Sequence, residues 1–108
     1  LRRGDIITVA VSGDYGEPRP ALVIQSDFLA ETDSVLVCLL TTTFIDAPLH
    51  RLTVLAEAET GLRPPSQVMV DKVIAVRRDR CGAKIGRVDQ TMLQNLGTAL
   101  AFVVGLAD

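Results

Sequence analysis

Three polar groups in this chain stand where work on an anion could be done: Arg19, the run Thr41-Thr42-Thr43, and Asp71. Each adjoins a short apolar run. Arg19 precedes Pro20-Ala21-Leu22-Val23-Ile24, the threonines follow Val35 to Leu40, and Asp71 follows Val68-Met69-Val70. Pro20 restricts Arg19 to extended backbone, because the proline ring clashes with a helical preceding residue. A guanidinium fixed there offers directed donors in a planar fork and keeps its charge at working pH, which suits an oxyanion or a phosphate. Each group also has an ordinary structural explanation. Arg19 could pair with Glu17 or Asp14, the threonines have good β-propensity, and Asp71 could cap a turn or pair with neighbouring cations.

The elements that must hold these groups are short strands. Asp5 to Ser12 is rich in β-branched residues and reads as a strand. Gly13 to Arg19 is a loop, broken by two glycines and Pro18. Pro20–Gln25 is the second strand, and Asp27 is placed to cap one helical turn to about Ala30. Ser34 to Thr41 is apolar on both faces and so should be central. Phe44 to Leu49 is a connection, and His50 to Glu57 alternates as a fourth strand. Glu59 to Pro65 is a turn rich in breakers. Ser66 to Val70 is a fifth strand, which Lys72 to Arg77 either continues or follows as a sixth. Arg78 to Gly86 is a polar segment punctuated by glycine, with Cys81 in a turn. Asp89 caps a helix from Gln90 to Val104, whose Met92, Leu93, Leu96, Leu100, Val103 and Val104 share one face. Gly105 stops it, and Gly97 inside it suggests a close packing contact. Strands ending in one helix predict a mainly β fold, a small curled barrel closed by a C-terminal helix. The strand ends then meet at one rim, where Arg19, Thr41 and Asp71 could share a site.

Composition sets the class. With 108 residues, 48% of them hydrophobic, the chain suits a single domain, residues 1–108, with a real core. Its net charge of −2 does not advertise nucleic-acid binding. Yet Arg63, Lys72, Arg77, Arg78, Arg80, Lys84 and Arg87 gather in the second half, so a local basic surface is expected within an acidic whole. Chain position 1 is Leu rather than Met, so a native start upstream is expected. No signal peptide is visible. The longest apolar stretch, Ala99 to Ala107, falls well short of the ~20 residues a membrane span needs. A cytoplasmic protein is expected. Cys38, within an apolar run, reads as a buried reduced thiol. Two distant cysteines and the single His50 suggest no metal site and no cofactor. His50 is the obvious general-base candidate but has no recognisable partner, and an exposed strand-edge role is expected for it.

The motifs resemble those of the MazF/PemK (Kid) toxins of bacterial toxin–antitoxin pairs, which are messenger-RNA interferases. Arg3-Gly4-Asp5-Ile6 resembles the family's opening. Glu17-Pro18-Arg19-Pro20-Ala21-Leu22-Val23-Ile24-Gln25-Ser26-Asp27 resembles its x-x-RP-x-LV-I-x-x-D signature. Leu39-Leu40-Thr41-Thr42 and Val68-Met69-Val70-Asp71-Lys72-Val73 resemble its strands ending in a hydroxyl and in an acid. Asp89-Gln90-Thr91-Met92-Leu93 through Gly105-Leu106 resembles its closing helix. The likeness runs in order from Arg3 to Leu106.

That resemblance implies an SH3-like, PemK-type barrel and metal-independent cleavage of single-stranded RNA, with the substrate's own 2′-hydroxyl as the nucleophile. It implies catalytic roles for Arg19, for Thr41 with Thr42 as the alternative in register, and for Asp71. Contacts to RNA are expected at Tyr15, Pro18, Thr42, Lys72 and Arg77. It further implies a homodimer and a cognate antitoxin whose acidic tail displaces the Gly13–Pro18 loop. The chain departs from the pattern at Met69, where Kid-like members carry an arginine, and at Ile74-Ala75, where many carry a basic residue followed by Thr or Ser. The site is thus expected to lack a second cation. Two rivals follow: a CcdB-type gyrase poison, which needs a C-terminal Trp-Gly-Ile that this chain lacks, and a catalytically weak toxin-like binding module.

Overall fold

The computed structural model describes residues 1–11 and 17–107. One sheet of six antiparallel strands dominates: β1 (Asp5–Ala10), β2 (Pro18–Val23), β3 (Ser34–Thr41), β4 (Arg51–Val54), β5 (Ser66–Arg77) and β6 (Cys81–Arg87). Their order across the sheet is β4-β5-β3-β2-β1-β6. One helix, α1 (Gln90–Val103), follows. The sheet curls until its two edges are joined by the turn after β4. Arg87 N donates to the Glu59 carbonyl at 2.7 Å, and Gly61 packs on the Ile85 carbonyl. Gly61, at φ 68°, adopts a backbone that side chains rarely take, and a Cβ there would fall 2.1 Å from the Ile85 oxygen.

Alternation along the strands divides the core into two clusters on opposite faces of the sheet. Leu22, Cys38, Leu40, Val68 and Val70 face α1 and pack with its Leu96 and Ala99. Val9, Ala21, Val37 and Leu39 face the other way, joined by Met69 and Ile74. β3 lies between β2 and β5 and its Val37 and Cys38 are fully buried, as its unbroken apolar run requires.

Several expected boundaries shift. β2 begins at Pro18, so Arg19 belongs to the strand and not to the loop. β4 covers only Arg51–Val54. His50 is half-buried in the turn before it rather than exposed on a strand edge, and its carbonyl accepts from Val70 N at 3.1 Å. β5 runs unbroken through Arg77. The polar segment 78–86 is a short 3-10 turn followed by the edge strand β6, with Cys81 opening that strand. The β6 sequence hides its pairing because most of its residues are exposed. Its glycines fit close neighbours, and a Cβ on Gly82 would lie 2.3 Å from Thr8 Oγ1. The close contact expected at Gly97 is absent among the described residues. The nearest atom to a Cβ there is Arg3 Nη2 at 4.0 Å. α1 is capped as expected, with Asp89 accepting from Met92 N at 2.8 Å, and Gly105 ends it at φ 81°.

Asp5 fastens β1 to β6. It accepts from Arg2 N at 2.9 Å and from Arg87 Nη1 at 2.8 Å, with Lys84 Nζ at 3.4 Å. Burial opposes its charge, but these donors outweigh burial and hold its carboxyl below the usual value of 3.8. A depressed carboxyl stabilises the fold above its unfolded pKa, and that contribution is lost as pH falls through the lower folded value. Asp5→Asn should therefore cost about 2 kcal/mol at neutral pH, the scale of hydrogen bonds to a charged group. Urea unfolding across pH should show that deficit unchanged from pH 7 to 5 and shrinking below about pH 4. A deficit that grew in acid would refute this role.

Candidate active site

The site assembles on the sheet face that turns away from α1. Arg19 is cross-strand from Val9, so the two share a face. Ala21 pairs with Leu39 on that face, and the same register continued two residues sets Arg19 across from Thr41. Thr41 in turn pairs with Gln67. Two residues beyond Gln67, on the same face, comes Met69, which pairs with Arg51 of β4. Four strands thus bring Arg19, Thr41, Met69 and Arg51 to one surface.

Thr41 is held by its surroundings. Its Oγ1 accepts from Thr43 N at 3.1 Å, turning the chain as β3 ends. Gln67 is buried and clamps the segment that follows. Its side chain accepts from Ile45 N at 3.1 Å and donates to Ile45 O at 3.0 Å. The hydroxyl keeps a proton to donate to an incoming oxygen. Thr42 is exposed beside it.

Asp71 owes its position to a bulge. Leu40 pairs with Val68 and Cys38 with Val73, so Leu39 alone stands opposite Met69-Val70-Asp71-Lys72. The extra residues reverse the alternation. Val68 and Val70 face α1, whereas Ile74 and Val76 face away from it. Such bulges re-aim side chains beside functional sites. Asp71 Oδ1 accepts from Arg51 Nε at 3.3 Å, and Oδ2 lies 3.9 Å from Lys72 Nζ. The charge is felt in the core, where the buried Cys38 thiol is pushed up to about 12, first by burial and then by Asp71. Cys38 is therefore packing and not a nucleophile.

The expected site residues are placed unevenly. Arg19 and Thr41 face each other across β2 and β3, and Asp71 is tied to the same sheet face through Arg51 of β4. Pro18 is exposed at the start of β2, and Lys72 is exposed in the bulge. Arg77 does not join them. It pairs with Ser34 at the opposite end of β3 from Thr41, seven residues or roughly 23 Å away at the rise of a strand, and it binds Asp79 at 2.7 Å. Tyr15 lies outside the described residues. Arg51 escaped the sequence reading because it looks like one more charge on an alternating strand. Only its cross-strand partner, Met69, marks it. Met69 itself carries no charge, and the cation on this part of the face is Arg51, one strand over.

A cavity of about 490 Å³ lies elsewhere, between the turn after β4 and the start of α1. Glu57, Glu59 and Asp89 outweigh Arg87 in its lining, which does not suit a polyanion. No group of three or more His, Cys, Asp or Glu among the described residues could hold a metal ion. No helix among them is long and apolar enough to cross a membrane.

Comparison with known proteins speaks to the fold and the family. Residues 2–104 match the family described as PemK-like, MazF-like toxin of type II toxin-antitoxin system. A Mycolicibacterium smegmatis protein named "Probable endoribonuclease MazF" is 42% identical over 108 residues, covering 99% of each chain. Among solved structures, a mycobacterial endoribonuclease in complex with its cognate antitoxin superposes with a TM-score of 0.83 at 22% identity, over 98% of this chain and 96% of that one. The Mycobacterium tuberculosis toxin MazF-mt6 gives 0.80 at 22% identity, over 94% and 96%. At that identity the two structures speak for the fold, while the family match and the M. smegmatis relative speak for kinship. This chain belongs to the PemK-like, MazF-like toxins of type II toxin–antitoxin systems.

Proposed function

We propose that this toxin is an endoribonuclease that cuts single-stranded RNA through the substrate's own 2′-hydroxyl. The observation that carries the reading is the register that puts Arg19 across from Thr41 on one sheet face, to which Arg51 ties Asp71. The 2′-oxygen forms a bond to phosphorus as the bond from phosphorus to the 5′-oxygen breaks. The 2′-proton leaves to an acceptor, and the departing 5′-oxygen takes one up. The products are a 2′,3′-cyclic phosphate and a 5′-hydroxyl. Arg19 stabilises the extra charge on the non-bridging oxygens by paired hydrogen bonds. Thr41 Oγ1 orients one of those oxygens. Asp71 supplies an acceptor carboxylate for the RNA, and Lys72 and Pro18 flank the path of the strand.

The working form is a cytoplasmic homodimer controlled by a cognate antitoxin. Exposed apolar side chains at the end of α1, Phe102, Val104 and Leu106, favour association. The neighbouring fold seen with its antitoxin favours that partner.

Purified protein incubated with RNA, followed by end mapping, tests the reading. Cleavage leaving cyclic-phosphate and 5′-hydroxyl ends is expected, and co-purified antitoxin should suppress it. Thr41→Val should slow cutting about tenfold, matching ~1.5 kcal/mol for one neutral hydrogen bond. Intact RNA after incubation with a folded, sedimenting dimer would leave the binding-module alternative standing.

A further inference from the structure

We infer that Arg51 is the second RNA-contacting cation of the site, holding Asp71 through Nε and donating to the RNA backbone through its Nη groups. This rests on the endoribonuclease reading above. Four observations carry it. Arg51 lies cross-strand from Met69, on the sheet face that holds Arg19 and Thr41. Its side chain is only 10% exposed, yet the one hydrogen bond it makes among the described residues uses Nε, on Asp71 Oδ1 at 3.3 Å. The two Nη groups, four donors, have no acceptor among those residues, and unpaired buried donors are costly. Finally, Met69 has no donor of its own to offer an anion.

A guanidinium is suited to this double task. Its fork can grip a carboxylate on one edge and a phosphate on another, which an ammonium on a flexible stem cannot do with the same geometry. The pairing with Asp71 fixes the fork before RNA arrives, so less conformational entropy is lost on binding. Arg51 thereby acts in two ways: it positions the Asp71 carboxylate and it adds one phosphate contact.

The test uses the full-length toxin and a short RNA spanning the mapped cleavage site, made uncleavable by a 2′-deoxy sugar at the scissile nucleotide. Affinity is measured as a function of salt. Each phosphate contact on a single strand contributes about 0.7 to the slope of log affinity against log salt. Arg51→Gln should weaken binding about tenfold or more and flatten that slope by roughly 0.7. Arg51→Lys should keep the slope but lower kcat on cleavable RNA about tenfold, since the charge remains while the fork is lost. Should Arg51→Gln alone unfold, the Arg51→Gln/Asp71→Asn double variant leaves no orphaned charge and should show the same flattened slope. Asp71→Asn by itself should keep the wild-type slope. An unchanged slope and affinity in a folded Arg51→Gln or double variant overturns the inference. If the wild type cuts and Arg19→Ala does not, such a result sinks the Arg51 role alone. If the wild type fails to cut, the parent reading has failed instead.

Discussion

Arg19→Ala is expected to reduce the rate of RNA cleavage by roughly 10²–10³-fold, the scale for removing one donor aimed at transition-state charge. The loss should fall mainly on kcat, because the added negative charge on the phosphoryl oxygens develops as the 2′-oxygen attacks. Arg19→Lys should recover little of it. A point charge can neutralise an oxyanion but cannot make two parallel contacts from a fixed plane. Neither variant should disturb the fold. Arg19 sits one residue before Pro20 at the open end of β2, and the buried part of that strand begins at Ala21. Thermal unfolding beside single-turnover cleavage checks both halves. A folded Arg19→Ala protein cutting at the parental rate would overturn the assignment.

How far such a site could be read from the chain depended on which residues carried a pattern. β3 was legible throughout, because eight residues with few polar interruptions between turn formers have little else to become. The helix was legible from its spacing and from Asp89. β6 was not, since most of its residues are exposed, so it carries no apolar alternation, and its glycines look like loop. Gly97 invited a packing explanation that the open space around it removes. At the site, the Arg-Pro step fixed Arg19 locally, so local sequence sufficed. Arg51 was different. Its meaning depends on a pairing with Met69 made across a connection that no local rule specifies, and on a bulge at Asp71-Lys72 that looks in sequence like an unbroken strand. Properties fixed by long-range register are the ones a single sequence conceals.

The second large effect concerns the substrate rather than the protein. RNA carrying a 2′-O-methyl or 2′-deoxy sugar at the mapped scissile nucleotide should resist cleavage completely, while still binding. In the proposed mechanism that hydroxyl is the nucleophile, and no side chain among the described residues of the Arg19 face replaces it. Thr41 has a hydroxyl, but its Oγ1 already accepts from Thr43 N and no histidine, carboxylate or lysine is bonded to it among the described residues as an activating base. Cys38 is sealed in the core with its thiol held protonated. The same logic predicts that cleavage continues in excess EDTA. Arg19 and Arg51 would supply the positive charge that other nucleases draw from a divalent ion, and the attacking oxygen belongs to the substrate. The two arms separate the possibilities cleanly. Cutting of the 2′-deoxy oligonucleotide at the parental position would place the nucleophile on water or on the protein. Loss of activity in EDTA, restored by magnesium, would show that the cation work is not done by the two arginines. Resistance of the modified RNA together with full activity in EDTA is the outcome expected of a face built from one arginine on β2, one on β4 and a threonine between them.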